Sequence, residues 1–324
     1  MRSMLGCLAA CLVTVCLALA APTANAQSYP ARPITIVVPF AAGSGTDSIA
    51  RIIGQHLSIA LNQSVVIENK VGASGVLAAT YVARAAPDGY TLLMATNSTH
   101  SANPHLFKSL GYDPVKDFAP VARAGSYVFM LVINPDVPAK TLPELVAYAK
   151  ANPGKLTYAS GNTTGIVAGE TLKSRAGIDV LHIPYKSTPP ALNDVIGGRV
   201  SMMFIDLAPG LEHVRAGTLR ALAVTTKERS ALLPDLPSLS EAGIPGYDVT
   251  SYAALFAPAG TPKEIVDRLN AEVQKIIANP EAKARIAVTG FDAFSGPPET
   301  LASFVQSELV NWGKLIKDAG IEPQ

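Results

Sequence analysis

Cysteine is scarce in this 324-residue chain, and its three copies all lie near the start, at Cys7, Cys11 and Cys16. The same stretch carries the features of a secretory signal peptide: a basic residue, a long apolar run and a small-residue cleavage pattern at residues 24–26. We therefore expect residues 1–26 to be removed on export, which leaves a chain without cysteine. Such a chain has no disulfide framework, thiol nucleophile or thiolate metal site, and it suits an oxidising periplasm.

Two alternatives exist for the N-terminal stretch: it is retained as a membrane anchor, or it is lipidated at Cys11. The apolar run is short for an anchor and ends in a cleavage pattern. Too few apolar residues precede Cys11 for a typical signal peptide. Cleavage after residue 26 is therefore the favoured prediction.

An excess of charge of one sign is also missing. Removal of residues 1–26 takes away Arg2 and no acidic residue, so the 26 basic residues fall to 25, which face 25 acidic ones. A balanced chain creates no field that attracts nucleic acid or an anionic membrane. We therefore expect neither as a partner.

Short β-branched runs alternate with helical patterns along the rest of the chain, which predicts an α/β fold with parallel sheets. Strands are predicted at residues 34–38, 64–68, 90–95, 127–133, 156–159, 180–183, 200–205, 221–225 and 252–257. Helices are predicted at residues 46–61, 73–86, 142–151, 164–176, 189–196, 262–278 and 301–317, with Thr261 as a cap.

The chain is long enough for two domains, yet no Pro/Ser-rich linker separates them. We therefore expect an interleaved arrangement, with residues 27–126 and 249–324 in domain 1 and residues 127–248 in domain 2. The two crossings between these domains would form a hinge.

A glycine-rich turn between the first strand and the first helix is the first candidate site, with Phe40, Ala42, Gly43, Ser44 and Asp47. Glycine lets the backbone approach a ligand, and the N–H groups of the new helix attract an anion. The turn lacks the lysine of a P-loop and the G-x-G-x-x-G spacing of a dinucleotide site. An ordinary turn between a strand and a helix is the alternative.

Hydroxyl and amide side chains follow further strands, and ligands of open α/β sheets bind beyond the carboxyl ends of the strands. For each of them the alternative is a helix cap or a solvated surface residue. The candidates are Asn97, Ser98, Thr99 and His100 after one strand, Ser160, Asn162, Thr163 and Thr164 after another, Tyr185 and Lys186 after a third, and Asp206 after a fourth.

Enzyme signatures are missing as well. No G-x-S-x-G nucleophile motif occurs, and none of the five histidines has the spacing of a zinc motif. The candidate loops contain no assembled acid–base pair. We expect no catalytic activity, no cofactor and no metal.

At these loops the chain resembles the Bug family of periplasmic receptors, also called the TctC-like substrate-binding proteins of tripartite tricarboxylate transporters. The matching stretches run almost end to end. They are Tyr29-Pro30, Arg32-Pro33-Ile34, Val38-Pro39-Phe40, Ala42-Gly43, Asp47, Arg51, Glu68-Asn69-Lys70, Gly72-Ala73, Gly75, Ala86 to Thr91, Ile183 to Lys186, Leu219 to Val224, Glu241-Ala242-Gly243 and Ala257 to Pro262.

The resemblance implies a type II periplasmic binding protein fold, in which two Rossmann-like domains joined by a two-strand hinge close over a ligand like a Venus flytrap. It also implies a carboxylate ligand, such as an organic acid, an amino acid or an aromatic acid. The resemblance further implies that backbone N–H groups, hydroxyls and ordered water hold this ligand. The matching positions here are Ala42, Gly43, Ser44, Ser98 with its neighbours, and residues 160–164.

One loop departs from the family pattern. Many relatives have a longer Ser-Gly-x-Gly-[Ser/Thr] loop followed by His-Leu, whereas residues 160–170 here read Ser-Gly-Asn-Thr-Thr-Gly-Ile-Val-Ala-Gly-Glu. The loop is shorter and the histidine is absent, so the ligand contacts of domain 2 stay open.

The resemblance implies a monomeric solute receptor of the periplasm that delivers a small carboxylate to membrane transporter subunits of the tripartite tricarboxylate type. Two alternatives remain. The same closure is also suited to signalling through a sensor kinase, and an exported α/β enzyme that acts on a small organic acid is the other.

Overall fold

The computed structural model of the protein describes residues 29–323, so the predicted signal peptide lies outside the described residues. From Arg32 onward the chain forms one compact unit with two β-sheets. The strands are β1 (Ile34–Val38), β2 (Val65–Asn69), β3 (Thr91–Thr96), β4 (Phe118–Tyr127), β5 (Phe129–Ile133), β6 (Thr157–Ser160), β7 (Leu181–Pro184), β8 (Met202–Asp206), β9 (Arg220–Val224), β10 (Ser251–Pro258) and β11 (Phe291–Ala293).

The helices cover the faces of these sheets. They are α1 (Gly45–Leu61), α2 (Val76–Ala83), α3 (Asn103–Leu106), α4 (Leu142–Ala151), α5 (Thr163–Ala176), α6 (Thr188–Ile196), α7 (Leu207–Arg215), α8 (Lys263–Ala278), α9 (Pro280–Ala287) and α10 (Pro298–Asp318). A 3₁₀ turn (Ala73–Gly75) precedes α2, and one turn of π-helix (Ser98–Ala102) follows β3.

The first sheet has six strands in the order β11-β4-β10-β3-β1-β2, and with its helices we call it the first lobe. β1 pairs in parallel with β2 and β3, whereas β10 is antiparallel to β3 and β4. Four of the five β1 residues are buried, as expected for an Ile/Val-rich strand covered on both faces. Val37, Leu93, Phe256 and Leu301 share one core cluster of this lobe.

The second sheet has five strands in the order β7-β6-β8-β5-β9, and with its helices we call it the second lobe. β6 is parallel to β7 and β8, and β5 is antiparallel to β8 and β9. Val132 and Met203 from the sheet pack with Val195 of α6 in a separate core cluster. Each lobe therefore has its own hydrophobic core.

Two crossings connect the lobes. β4 ends at Tyr127 in the first sheet, and β5 begins at Phe129 in the second. The chain returns after β9 and enters the first sheet again at Ser251, which pairs with Tyr127. The two crossings therefore lie side by side at one end of each sheet.

Three local predictions are wrong. Residues 127–133 form two strands of different sheets rather than one strand, because Tyr127 pairs with β10 while Phe129 pairs with β8. The helix expected over residues 73–86 is regular only over Val76–Ala83, since Ala73, Ser74 and Gly75 before it all have positive φ. Thr261 does not cap α8: its hydroxyl donates to the Pro258 carbonyl at 2.8 Å.

The longest helix, α10, packs on the first sheet through an amphipathic face. Leu301, Val305 and Trp312 are buried, whereas Val310 on the other face is exposed. Within residues 29–323, no helix combines the length and the apolar character that crossing a membrane requires.

Candidate functional site

The glycine-rich turn after β1 places the N-terminus of α1 between the two lobes. Ser44 is the N-cap residue, and its hydroxyl accepts from the Asp47 N–H at 3.3 Å. Gly43 has a φ of 81°, a left-handed conformation that glycine adopts without strain. The N–H groups of Gly45 and Thr46, the first of the helix, have no partner within it and add to its positive end.

Asp47 holds this turn in shape rather than facing the cleft. Its carboxylate accepts from the Gly43 N–H at 3.0 Å, from Arg51 Nε at 2.9 Å and from Asn69 Nδ2 at 2.8 Å. Burial alone would raise the pKa of Asp47, but the hydrogen bonds outweigh burial and lower this pKa below its usual value. The anionic form of Asp47 therefore stabilises the turn.

Hydrogen bonds join the two lobes directly. Asn97 Nδ2, after β3, donates to Thr164 Oγ1 on α5 at 2.9 Å. The Thr163 hydroxyl donates to Asn103 Oδ1 at 2.9 Å. The Ala41 N–H, in the glycine-rich turn, donates to the Ser187 hydroxyl at 3.0 Å. These contacts show that the lobes are closed against one another.

The closed lobes leave between them a small, partly open cavity of about 10 Å³, which is room for roughly one water molecule. Loops and strand ends of both lobes contribute to its wall. The lining residues are Phe40, Thr46, Thr96, Asn97, Ser98, Tyr127, Phe129, Asn162, Thr164, Asp206 and Ser251.

Asp206 is the acidic residue of this cavity wall. It ends β8 and occupies the N-cap position of α7, but its side chain makes no capping hydrogen bond. The side chain is buried, and its Oδ1 atom has no hydrogen-bond partner. Burial raises the pKa of Asp206 to about 7.

Seven of the sixteen residues predicted from sequence as ligand contacts lie at or beside this cavity, so the structure brings together segments that are far apart in the chain. Those in its wall are Phe40, Asn97, Ser98, Asn162, Thr164 and Asp206. Ser44 caps α1 immediately beside it. Thr163, on α5, is bonded to Asn103 instead.

Other predicted contacts are turned away from the cavity. His100 is buried between Phe256 and Phe118, with ring centroids 4.2 and 4.7 Å apart. The Thr99 hydroxyl donates back to the carbonyl of Thr96 at 3.1 Å.

Ala42 and Gly43 of the glycine-rich turn, and Tyr185 and Lys186 after β7, are also outside the cavity wall. Ala42, Gly43 and Lys186 are exposed. The Tyr185 hydroxyl donates to the Asp194 carboxylate at 2.5 Å, within the second lobe.

Ser160 forms a serine–histidine pair that the sequence patterns do not reveal. Its Oγ lies 2.6 Å from His182 Nε2, and the His182 ring stacks on Tyr158 at 4.6 Å. Burial lowers the pKa of His182, and Ser160 is not part of the cavity wall. The pair therefore lies within the second lobe, outside the cavity wall.

Five residues of the cavity wall were not predicted from the sequence: Thr46, Thr96, Tyr127, Phe129 and Ser251. Tyr127, Phe129 and Ser251 flank the crossings between the lobes. Because the sequence predicts crossings near residues 127 and 249, these positions could have identified them. Among residues 29–323, no group of three or more His, Asp or Glu side chains has the arrangement of a metal site.

Comparisons with known proteins agree with this architecture. Residues 49–321 match the family model described as "Tripartite tricarboxylate transporter family receptor". A curated relative, the "UPF0065 protein in tcbD-tcbE intergenic region" of Pseudomonas sp. (strain P51), is 38% identical over 312 residues, which cover 94% of this chain and 92% of the relative.

Two solved structures of similar proteins contain a bound dicarboxylate. "R. palustris Rpa4515 with adipate" has a TM-score of 0.89 and 36% identity, covering 91% of this chain and 100% of that one. "MatC (Rpa3494) from Rhodopseudomonas palustris with bound malate" has a TM-score of 0.83 and 35% identity, covering 89% of this chain and 100% of that one.

Proposed function

Since this chain belongs to the tripartite tricarboxylate transporter receptor family, we propose that it captures a small carboxylate between its two lobes and delivers it to a membrane transporter of that type. The family consists of binding receptors, so the expectation of a non-enzymatic protein is confirmed. The predicted α/β fold with two sheets, similar to periplasmic binding proteins, is confirmed as well.

One observation carries the proposal: the N-terminus of α1 borders a cavity whose wall comes from both lobes. The N–H groups of Gly45 and Thr46 suit a carboxylate, and hydroxyls of Ser98 and Thr164 surround the same space. Hydrogen bonds to a charged group contribute roughly 1.5–3 kcal/mol each. Four or five of them, less the cost of closure, reach the roughly 8 kcal/mol of micromolar binding. A cationic side chain is not required.

The size of the cavity implies movement of the lobes. Space for roughly one water molecule does not hold a dicarboxylate. We propose that domain 1 (residues 27–126 and 249–324) and domain 2 (residues 127–248) rotate about the crossings at Tyr127–Phe129 and near Ser251. The Asn97–Thr164 and Ala41–Ser187 hydrogen bonds then break as a ligand enters.

We further propose that the protein works as a monomer in the periplasm, after removal of residues 1–26. Its relatives with solved structures include a protein described as a periplasmic binding protein, BugD, with a TM-score of 0.87. The surface that the two lobes present together around a bound ligand would then be what the transporter recognises.

The test is calorimetric titration of the exported protein with a panel of acids: adipate, L-malate, citrate, benzoate and L-glutamate. We expect saturable binding with a micromolar Kd for at least one acid and no binding of putrescine, a diamine that serves as control. Flat titrations with all of the acids would contradict the proposal.

A further inference from the structure

The Asp206 carboxyl lies where an anionic ligand is expected to bind. If Asp206 were ionised, the two negative charges would repel each other. Asp206 belongs to the second lobe, yet its carboxyl contacts Gly45, the first residue of α1 on the first lobe. A Cβ atom built on Gly45 would overlap the Asp206 carboxyl, with Cγ at 2.8 Å. The Asp206 side chain is only 5% exposed, and its Oδ1 is unpaired and part of the cavity wall.

No cation neutralises Asp206 among the residues that line this cavity. Tyr127, at the end of β4, is the other titratable group there, and its hydroxyl approaches Thr46 without a well-formed hydrogen bond. On α1, the Asp47 carboxylate is turned toward Gly43 and Arg51.

The remaining elements around Asp206 bring no charge. β5 presents Phe129, which pairs with Asp206, β10 presents Ser251, and α5 presents Thr164. The first turn of α7, which Asp206 begins, contains no charged residue, since Leu207 is followed by Ala208 and Pro209. A bound carboxylate would therefore stand next to Asp206 with no positive side chain between them.

We propose that Asp206 is a specificity residue that is protonated in the complex and donates its O–H to the ligand carboxylate, so that binding takes up a proton. This inference rests on the proposed function. An ionised Asp206 next to an ionised ligand would repel it in a site of low dielectric, whereas a shared proton turns the repulsion into a hydrogen bond. The proton comes from water, and the ligand binds as its anion.

The same arrangement selects among ligands. A carboxylate needs a donor at this point, and the protonated Asp206 supplies one in addition to the N–H groups of Gly45 and Thr46. At a pH where Asp206 is half ionised in the free protein, both forms are present, and the anion selects the protonated one. The affinity for carboxylates should therefore fall as the pH rises.

The test measures the Kd for adipate and L-malate between pH 6 and pH 9. Both acids are fully ionised at the upper end of this range. Each pH unit above the pKa lowers the protonated fraction of Asp206 about tenfold, so the wild-type Kd should rise roughly fiftyfold between pH 7 and pH 9. At pH 8, the binding enthalpies measured in phosphate and in Tris should differ. The difference should equal the difference in ionisation enthalpy of the two buffers for about one proton taken up per ligand bound.

The matched variant is Asp206→Asn, which keeps the shape of the side chain and always presents an N–H donor. We expect its Kd at pH 6 to stay within about threefold of wild type and to remain constant up to pH 9. Its calorimetric heat should not depend on the buffer. The exposed variant Asp267→Asn should keep the wild-type pH profile.

The outcomes separate the two proposals. A wild-type Kd that is constant or improves toward pH 9 would overturn the role of Asp206 and leave carboxylate binding intact, as would a wild-type pH profile in Asp206→Asn. If neither acid nor any other acid of the panel binds at pH 6, both the proposed function and this inference are wrong.

Discussion

The side chains of Asn97 and Thr164 hydrogen-bond across the two lobes, with Asn97 Nδ2 2.9 Å from Thr164 Oγ1. The Thr164 hydroxyl in turn reaches Asn97 Oδ1 at 3.2 Å, and the Ser251 hydroxyl contacts the same oxygen. Asn97 therefore links β3, α5 and β10 at the point where the lobes meet. Because all three residues line the cavity, the contacts that close the lobes also lie where a ligand is expected to bind.

Replacement of Thr164 by valine should shift the protein toward an open form. Thr164→Val removes the hydrogen bonding between Thr164 and Asn97, and a net loss of about 1 kcal/mol corresponds to a roughly fivefold lower closed-to-open ratio. Small-angle X-ray scattering should show a larger radius of gyration than wild type without ligand. Thr171→Val is the matched control on the same helix, because the buried Thr171 hydroxyl has no partner to lose. An unchanged radius in Thr164→Val, or an equal increase in both variants, would contradict a role of Thr164 in holding the lobes closed.

Replacement of Gly45 by alanine should block closure while the protein stays folded. The new Cβ would overlap the Asp206 carboxyl of the other lobe, and alanine is a better helix former than glycine. We expect a Tm equal to wild type or higher and, without ligand, a larger radius of gyration than wild type in scattering experiments. The double variant Gly45→Ala with Asp206→Ala removes the overlap and should restore the wild-type radius without ligand. Wild-type closure in the single variant would show that the lobes do not approach at Gly45.

Sequence pattern predicts most strands and helices of this protein to within two residues, because Ile/Val-rich runs alternate with amphipathic helices of regular period. It also predicts that loops at strand ends gather polar groups. It does not reveal that Asp206 contacts Gly45, since this pair comes from two lobes and depends on how they meet. Nor does it separate β4 from β5, because Tyr127 and Phe129 belong to one apolar run although they pair in different sheets. Which side chains touch the ligand stays a prediction.

Replacement of Asp47 by asparagine should weaken the fold at neutral pH and make it less sensitive to acid. The charge-assisted bond with Arg51 is lost and the turn around Gly43 is held less firmly, at a cost of about 1.5–3 kcal/mol. Since the folded protein lowers the pKa of Asp47, the contribution of this carboxylate is present above its usual pKa of 3.8 and is lost as the pH falls through the lower folded value.

Urea unfolding of wild type and Asp47→Asn at pH 7 and at pH 3 measures this effect. The difference in the free energy of unfolding should shrink at pH 3. Asp267→Asn is the control, because the Asp267–Lys263 pair is exposed on α8, where solvent screens the charges and the pair contributes little to stability. A difference for Asp47→Asn that is equal at both pH values would show that the asparagine effect is one of packing rather than charge.

Replacement of His100 by phenylalanine should reduce the loss of stability in mild acid. Burial between two phenylalanine rings lowers the pKa of His100 to about 3, so the folded state stays unprotonated where the unfolded chain, with a pKa near 6.5, takes up a proton. Unfolding therefore becomes easier as the pH falls from 6.5 toward 3, by about 2–3 kcal/mol at pH 4.5 from this residue alone.

Urea titrations at pH 7 and pH 4.5 should show a smaller drop in the free energy of unfolding for His100→Phe than for wild type, even if the loss of the Thr99 contact lowers its stability at pH 7. His213→Gln, at a partly exposed position on α7, is expected to keep the wild-type drop. An unchanged drop in His100→Phe would mean that other groups account for the acid sensitivity.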